Sequence, residues 1–161
     1  MFKMNEKFIR SLPFFKESGL DKLKNSHVAV FGLGGVGSYI VEALCRGGIG
    51  SLTLVDSDVY TVSNINRQLY ATTQTIGKKK VDVAKERAYQ INPDIIVNTY
   101  DKFVLLNDNG GIDFSQFDYV VDAIDTISGK IAIISGCKNA NVPVISCMGT
   151  GNKVDPTLFK V

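Results

Sequence analysis

The chain has no tryptophan, a single histidine and three cysteines among its 161 residues, and none of its apolar runs approaches the length of a membrane span. Cys45, Cys137 and Cys147 are odd in number and show no CxxC spacing, so neither a disulfide framework nor a four-thiolate zinc site can be built from them. They read as buried small hydrophobes, with a redox or thioester role left open for Cys137 and Cys147. The opening residues, MFKMNEKFIR, carry charges where a signal peptide needs an apolar core, which predicts a cytoplasmic protein. A dominant charge sign is also lacking. The net +2 neither requires nor excludes nucleic acid, although Lys78, Lys79 and Lys80 form a local basic patch. With 45% hydrophobic and 21% charged residues the chain can build one domain with a real core, and it is too short for two ordinary ones.

What the chain does have is glycine, concentrated at one place. The apolar run Val28 to Phe31 ends in GLGGVGS, and a helical pattern starts at once. Gly32, Gly34, Gly35 and Gly37 let the backbone turn tightly and approach a ligand, while the free N–H groups and positive dipole end of the following helix attract an anion. Gly32, Gly34 and Gly37 have the spacing of a dinucleotide-type fingerprint. Asp56 closes the second strand nineteen residues after Gly37, where its carboxylate would accept ribose hydroxyls. A glycine loop alone would serve equally as a turn packing a helix on a strand; the order strand, loop, helix, strand, acid is what predicts an adenine nucleotide.

Residues 1–25 are predicted to form a helical arm of two short amphipathic pieces, carrying Phe8, Ile9, Leu12, Phe14, Phe15, Leu20 and Leu23 and interrupted by Pro13 and Gly19. Residues 26–161 form the predicted nucleotide-binding domain. After the loop, Val36, Ile40, Ala43, Leu44 and Gly47 keep a helical period until Gly47, Gly48 and Gly50 end it. Ser51 to Val55 reads as a strand, Asp58 to Thr75 as a polar loop with a helical turn, Lys80 to Gln90 as a helix stopped by Asn92 and Pro93, and Ile95 to Tyr100 as a strand. A turn at Asn107 to Gly111 leads to a strand from Phe117 to Ala123 whose end carries Asp122 and Asp125. A helix from Lys130 to Ala140, a strand from Val142 to Cys147 and a glycine turn follow. Leu158 to Val161 reads as the start of another strand, so the domain is expected to be truncated at its C-terminal end. The alternation predicts an α/β, Rossmann-like, doubly wound and mainly parallel sheet with helices on both faces.

The chemistry lies beyond the glycine loop. Asn64, Asn66, Arg67 and Gln68 fall in a loop at the carboxyl end of a strand, where such sheets place their ligands. Attack of a carboxylate on the α-phosphate of ATP brings anion to anion, so a site for it must supply positive charge where negative charge develops. Arg67 and Lys80 can do so, and Asp125 at a strand end can hold Mg²⁺, which takes oxygen ligands from one or two carboxylates plus phosphates. Singly, each of these is an ordinary solvated surface charge. Their joint placement is the signal.

Taken together, GLGGVGS, Asp56, Asp58, NINRQ, GKKK ending at Lys80 and DAID ending at Asp125 resemble the ThiF/MoeB/HesA branch of the ubiquitin-activating-enzyme superfamily over nearly the whole chain. The resemblance implies that Asp56 binds ribose, that Asn64, Arg67 and Lys80 bind phosphates, and that Asp125 binds magnesium, with Asp58, Gln68 and the four loop glycines completing the nucleotide site. Arg10 resembles an N-terminal arginine that reaches the triphosphate of a partner subunit, which implies a homodimer. The tail GTGNKVDPTLFKV resembles those members that act on tRNA. For them the implied reaction is ATP-dependent adenylation of the carboxylate of threonylcarbamoyladenosine beside the anticodon, followed by ring closure with loss of water. ATP, Mg²⁺, the modified tRNA and a cysteine-desulfurase sulfur-acceptor system are the implied cofactors and partners. Relatives that activate carrier proteins often hold two CxxC pairs, downstream of the region compared.

The main alternative is an adenylating activator of the C-terminal glycine of a ubiquitin-like sulfur carrier, which would share the ATP site. A nicotinamide oxidoreductase is permitted by the glycine loop and Asp56, but the one histidine, His27, precedes the first strand and leaves no evident proton relay. A nucleotide-binding scaffold without catalysis is the fourth reading.

Overall fold

The computed structural model describes residues 6–105, 110–149 and 154–158. Its elements are α1 (Leu12–Asn25), β1 (His27–Phe31), α2 (Gly37–Gly47), β2 (Ser51–Val55), α3 (Lys80–Ile91), β3 (Ile96–Tyr100), β4 (Tyr119–Asp122), α4 (Ile127–Ala140) and β5 (Val144–Ser146). The five strands form one sheet in the order β3-β2-β1-β4-β5, and every pairing is parallel. This is the predicted doubly wound arrangement.

β1 is apolar at every position after His27 because both of its faces are covered, as a central parallel strand requires. Val28 and Val30 point to one core with Leu52, Leu54, Val97, Val41 of α2 and Val81, Ala84 and Ala88 of α3. Ala29 and Phe31 point to the other, with Val120, Phe114, Phe117 and the α4 residues Ile133 and Cys137. The chain runs from β1 outward to β3 on one side and returns to place β4 on the other side of β1. The order therefore reverses between β1 and β4, and the crevice at their carboxyl ends is where such a sheet binds a ligand.

The arm departs from the prediction. Pro13 lies in the first turn of α1, where a missing N–H costs nothing, and Gly19 lies inside the helix. The break is at Lys16 instead, which has φ 57° and ψ 178°. The arm packs at the amino end of the sheet: a Cβ on Gly48, the left-handed C-cap of α2, would meet the Phe8 ring at 3.2 Å, and Lys7 pairs with Asp94 at 3.4 Å. At the other end of the chain Pro156–Leu158 is a single helical turn, and 159–161, where most of the expected strand start falls, lie outside the described residues. Cys45 and Cys137 are buried, one in each core, and burial pushes each thiol up to about 11. Cys147 is half-buried.

Candidate nucleotide site

The glycine loop is built by two close approaches. Gly32 has φ +85°, and a Cβ there would stand 2.8 Å from the Ala123 carbonyl carbon, so the end of β1 can touch the loop after β4 only as glycine. A Cβ on Gly37 would collide with the Gly32 carbonyl, which ties the first residue of α2 back onto the turn. Gly34 and Gly35 have no such need: the nearest atoms to a Cβ would be Gln68 Nε2 at 3.6 Å and the Arg67 carbonyl at 3.5 Å, ordinary contacts. What these two glycines leave open is approach from outside the protein. Among the described residues, the N–H groups of Gly34, Gly35, Val36 and Gly37 donate to no protein acceptor, and they sit at the positive end of α2.

Around this loop the structure gathers most of the predicted residues. Asp56, just past β2, accepts from the Leu33 N–H at 2.7 Å and from the Asp58 N–H at 2.8 Å, which fixes its carboxylate under the glycine turn. Its side chain is 9% exposed, and desolvation raises its pKa, opposed by those two hydrogen bonds and by Lys80. A carboxylate has about four acceptor positions, so lone pairs remain for ribose hydroxyls. Lys80 opens α3, donates to Asp58 at 2.7 Å and lies 4.0 Å from Asp56. It is buried, against the expectation of a residue away from the core. The reason is its two acids, which arrive from a loop more than twenty residues earlier.

Arg67 is exposed, and its stem lies 3.7 Å from a Cβ position on Gly35. Its guanidinium donates to the Ser63 carbonyl at 2.8 Å and to Asn66 at 3.0 Å, leaving further donors for an anion. Gln68 is buried beside Gly34, and its Oε1 is one of two buried side-chain atoms among the described residues with no hydrogen-bond partner. The other is the hydroxyl of Tyr60, whose pKa is raised by burial first and the charge of Asp56 second. Asn64 acts locally, its side-chain carbonyl accepting from the Thr61 N–H at 3.1 Å and closing the turn that precedes Arg67. Asp125 is exposed, two residues past the Ala123 that touches Gly32, and makes no hydrogen bond or ion pair among the described residues.

Two predicted residues belong to other parts of the fold. Arg10 is in the arm, just after Phe8, whose ring lies against the C-cap of α2 at the amino end of the sheet. His27, also at that end, bonds Thr53 Oγ1 at 2.8 Å and stacks edge-on against Phe117 at 5.0 Å. Burial lowers its pKa, with Asp118 opposing. It is a structural residue with no route to the site, which removes the proton relay an oxidoreductase would need.

Sequence reasoning missed two charge clusters. Glu42 of α2 is gripped by Arg87 of α3 at 2.8 Å and Arg46 at 2.6 Å, and receives the Tyr70 hydroxyl at 3.3 Å, which pins the base of the Arg67 loop to α2. Lys130 of α4 pairs with the wholly buried Asp122. A sequence signal existed for the second: Lys130 shares the inward face of α4 with Ile133 and Cys137, at spacings of three and seven.

Residues 7–160 match the model of the ThiF family. The chain belongs to that family. It is 44% identical over 91% of its length to a tRNA threonylcarbamoyladenosine dehydratase of Haemophilus influenzae and 42% identical over 98% to that of Bacillus subtilis. Among solved structures, E. coli tRNA N6-threonylcarbamoyladenosine dehydratase, TcdA, in complex with ATP superposes with a TM-score of 0.85 at 37% identity over 94% of this chain and 62% of that one. The chain spans 56% and 62% of the length of the two curated relatives.

Proposed function

We propose that this protein binds ATP at the β1/β4 crevice and adenylates the carboxylate of threonylcarbamoyladenosine on tRNA, promoting its cyclisation with loss of water. The observation that carries the reading is the set of four unpartnered loop N–H groups flanked by Arg67 and Lys80, with the acceptor Asp56 on the same turn. Phosphates take the N–H groups and cations, and ribose takes Asp56. Gln68 Oε1 then gains a donor. In the first step a carboxylate oxygen of the substrate attacks the α-phosphorus, a new P–O bond forms, the α–β bridge breaks and pyrophosphate leaves. Arg67 and Lys80 act where charge grows on that leaving group. Ring closure then breaks the acyl–phosphate bond and expels AMP. Asp125 is the residue fitted to magnesium: a lone exposed carboxylate beside the phosphate loop suits an ion that takes one or two carboxylates plus phosphate oxygens. Bound there, the ion would neutralise the triphosphate.

Residues 26–161 are the adenylation domain in this reading and residues 1–25 its arm. Arg10, in the arm, serves the site of a second copy in this reading, and the exposed Ile9, Phe14 and Phe15 supply the apolar contact. The H. influenzae and B. subtilis relatives carry the name tRNA threonylcarbamoyladenosine dehydratase, which supports tRNA as substrate, and a cytoplasmic setting belongs to the same proposal. A cysteine-desulfurase sulfur acceptor belongs to the same proposal through the family resemblance. No helix among the described residues is long and apolar enough to cross a membrane.

The test is to incubate the protein with ATP and either tRNA bearing threonylcarbamoyladenosine or a ubiquitin-like carrier protein. AMP release with the tRNA is expected; release with the carrier alone would replace the substrate assignment, and calorimetry showing NAD binding without ATP binding would end the adenylation reading. Removing residues 1–15 should cost both dimerisation and ATP affinity. A monomer with parental ATP affinity would refute the role of Arg10.

A further inference from the structure

Asp122 ends β4 with its carboxylate wholly buried, and three donors meet around it. Lys130 Nζ lies 3.1 Å from Oδ2, the Ser146 hydroxyl donates to the same oxygen at 2.5 Å, and the Ile124 N–H donates to Oδ1 at 3.2 Å. Lys130 donates a second bond, 2.7 Å, to the Cys147 carbonyl. One ion pair thus joins the ends of β4 and β5, the first turn of α4 and the turn 123–126. That turn is enclosed on two further sides. A Cβ on Gly32 would collide with the Ala123 carbonyl and the Ile124 nitrogen, and a Cβ on Gly129 would collide with Ile124 and Val104. Asp125 is the exposed member of the turn.

Stability does not explain such a pair. Taking both charges out of water costs several kcal/mol per ion, and apolar replacements of similar size are often neutral or stabilising. What the pair supplies is a fixed backbone: the Ile124 N–H donates to Asp122 and shapes the turn, and Lys130 holds the Asp122 side chain in the orientation that accepts it. We infer that Asp122 and Lys130 are positioning residues that set the 123–126 turn and so place the Asp125 carboxylate beside the glycine loop for the divalent cation of a nucleotide complex. The inference rests on the proposed role of Asp125. Neither residue touches the nucleotide in it, so binding without metal should be indifferent to them.

The experiment compares calorimetric ATP affinity with Mn²⁺ and with chelator, for the parent, Asp125→Asn, and the neutral pair Asp122→Asn with Lys130→Met. The neutral pair is expected to melt near the parent, to bind metal-free ATP about as well, and to lose roughly tenfold of the gain from Mn²⁺, the usual cost of losing support behind a metal ligand. A folded neutral pair with the full Mn²⁺ gain overturns the inference while leaving the metal reading intact, provided Asp125→Asn abolishes the gain. If Asp125→Asn keeps it, the metal reading falls and takes the inference with it. Should the neutral pair not fold, Ser146→Ala, which removes one bond to Asp122 without a charge change, decides: a reduced Mn²⁺ gain at parental metal-free affinity supports the inference, and an unchanged gain overturns it.

Discussion

Lys80 and Lys130 occupy the same place in two halves of the molecule, the first turn of a helix whose preceding acid ends or follows a strand, and both are 5% exposed. Their partners differ. Asp58, which takes the Lys80 bond, is 63% exposed in its side chain, whereas Asp122 is closed off entirely. An exposed carboxylate is well solvated when released, so Lys80 can exchange it for a phosphate at small cost. Asp122 has no such alternative, and releasing it would strand a buried charge. The same ion pair chemistry is thus an exchangeable contact on one side of the glycine loop and a permanent fastening on the other.

The largest effects should come from the cations facing the loop. Arg67→Ala and Lys80→Ala are each expected to slow adenylation roughly 100- to 1,000-fold, the effect of losing one preorganised donor to a developing anion. The two should differ in stability. Arg67 is exposed and its loss should leave the melting temperature unchanged, whereas removing Lys80 leaves the enclosed Asp56 without its cation and should lower it. Pyrophosphate release with substrate tRNA and a thermal melt check both, and parental rates in both variants would remove the two residues from the chemistry of adenylation. Next in size, Asp56→Ala should weaken AMP and ATP alike by about tenfold or more, since it removes ribose contacts and frees the Leu33 N–H. Calorimetry showing loss for ATP alone would place Asp56 on the phosphates instead.

A smaller effect tests the exchange itself. Asp58→Asn removes the competitor for Lys80 and should tighten ATP by about twofold to fivefold, the worth of a half-exposed ion pair of ~0.5–1 kcal/mol. Weaker binding would mean that Asp58 serves the nucleotide directly, or that it holds Lys80 in its working position.

The difference between the two lysines also marks what the sequence could show. The glycine loop, β2 and the acid after it are legible because their meaning is local: spacing along a few residues dictates the turn and the direction of the helix. Burial of Lys80 is not local. It depends on Asp56 and Asp58 folding back over α3 from the far side of a long loop, and periodicity alone treats a lysine after Lys78 and Lys79 as solvent-facing. The kink at Lys16 is opaque for a related reason, since Pro13 is a breaker inside a helix but a starter in its first turn, and only the true start at Leu12 decides which. Arg10 is legible as a residue type and resembles a family feature, yet the packing of its arm against the C-cap of α2 emerges only from the fold.

The smallest predicted effect concerns Glu42, an ion pair intermediate between the other two because its arginines are partly exposed while its carboxylate is 15% exposed. The Arg87 guanidinium first, and Arg46 after it, hold the Glu42 carboxyl well below its ordinary value of 4.5, down to about 2. The folded state therefore binds fewer protons at this site than the unfolded chain does between those limits. Stability from the clasp is fully present above the unfolded value and is lost as the pH falls through it toward the folded one. Asp56 works in the opposite sense, its raised value favouring the folded state as the pH falls, but it is common to parent and variant and cancels in their difference. Glu42→Gln should therefore flatten the fall in melting temperature between about pH 5 and pH 3 while lowering stability only modestly at neutral pH, since water screens both arginines. Parallel melting profiles for parent and variant across that range would show that the arginines do no more for Glu42 than solvent does, and that the loop carrying Arg67 is not anchored through it.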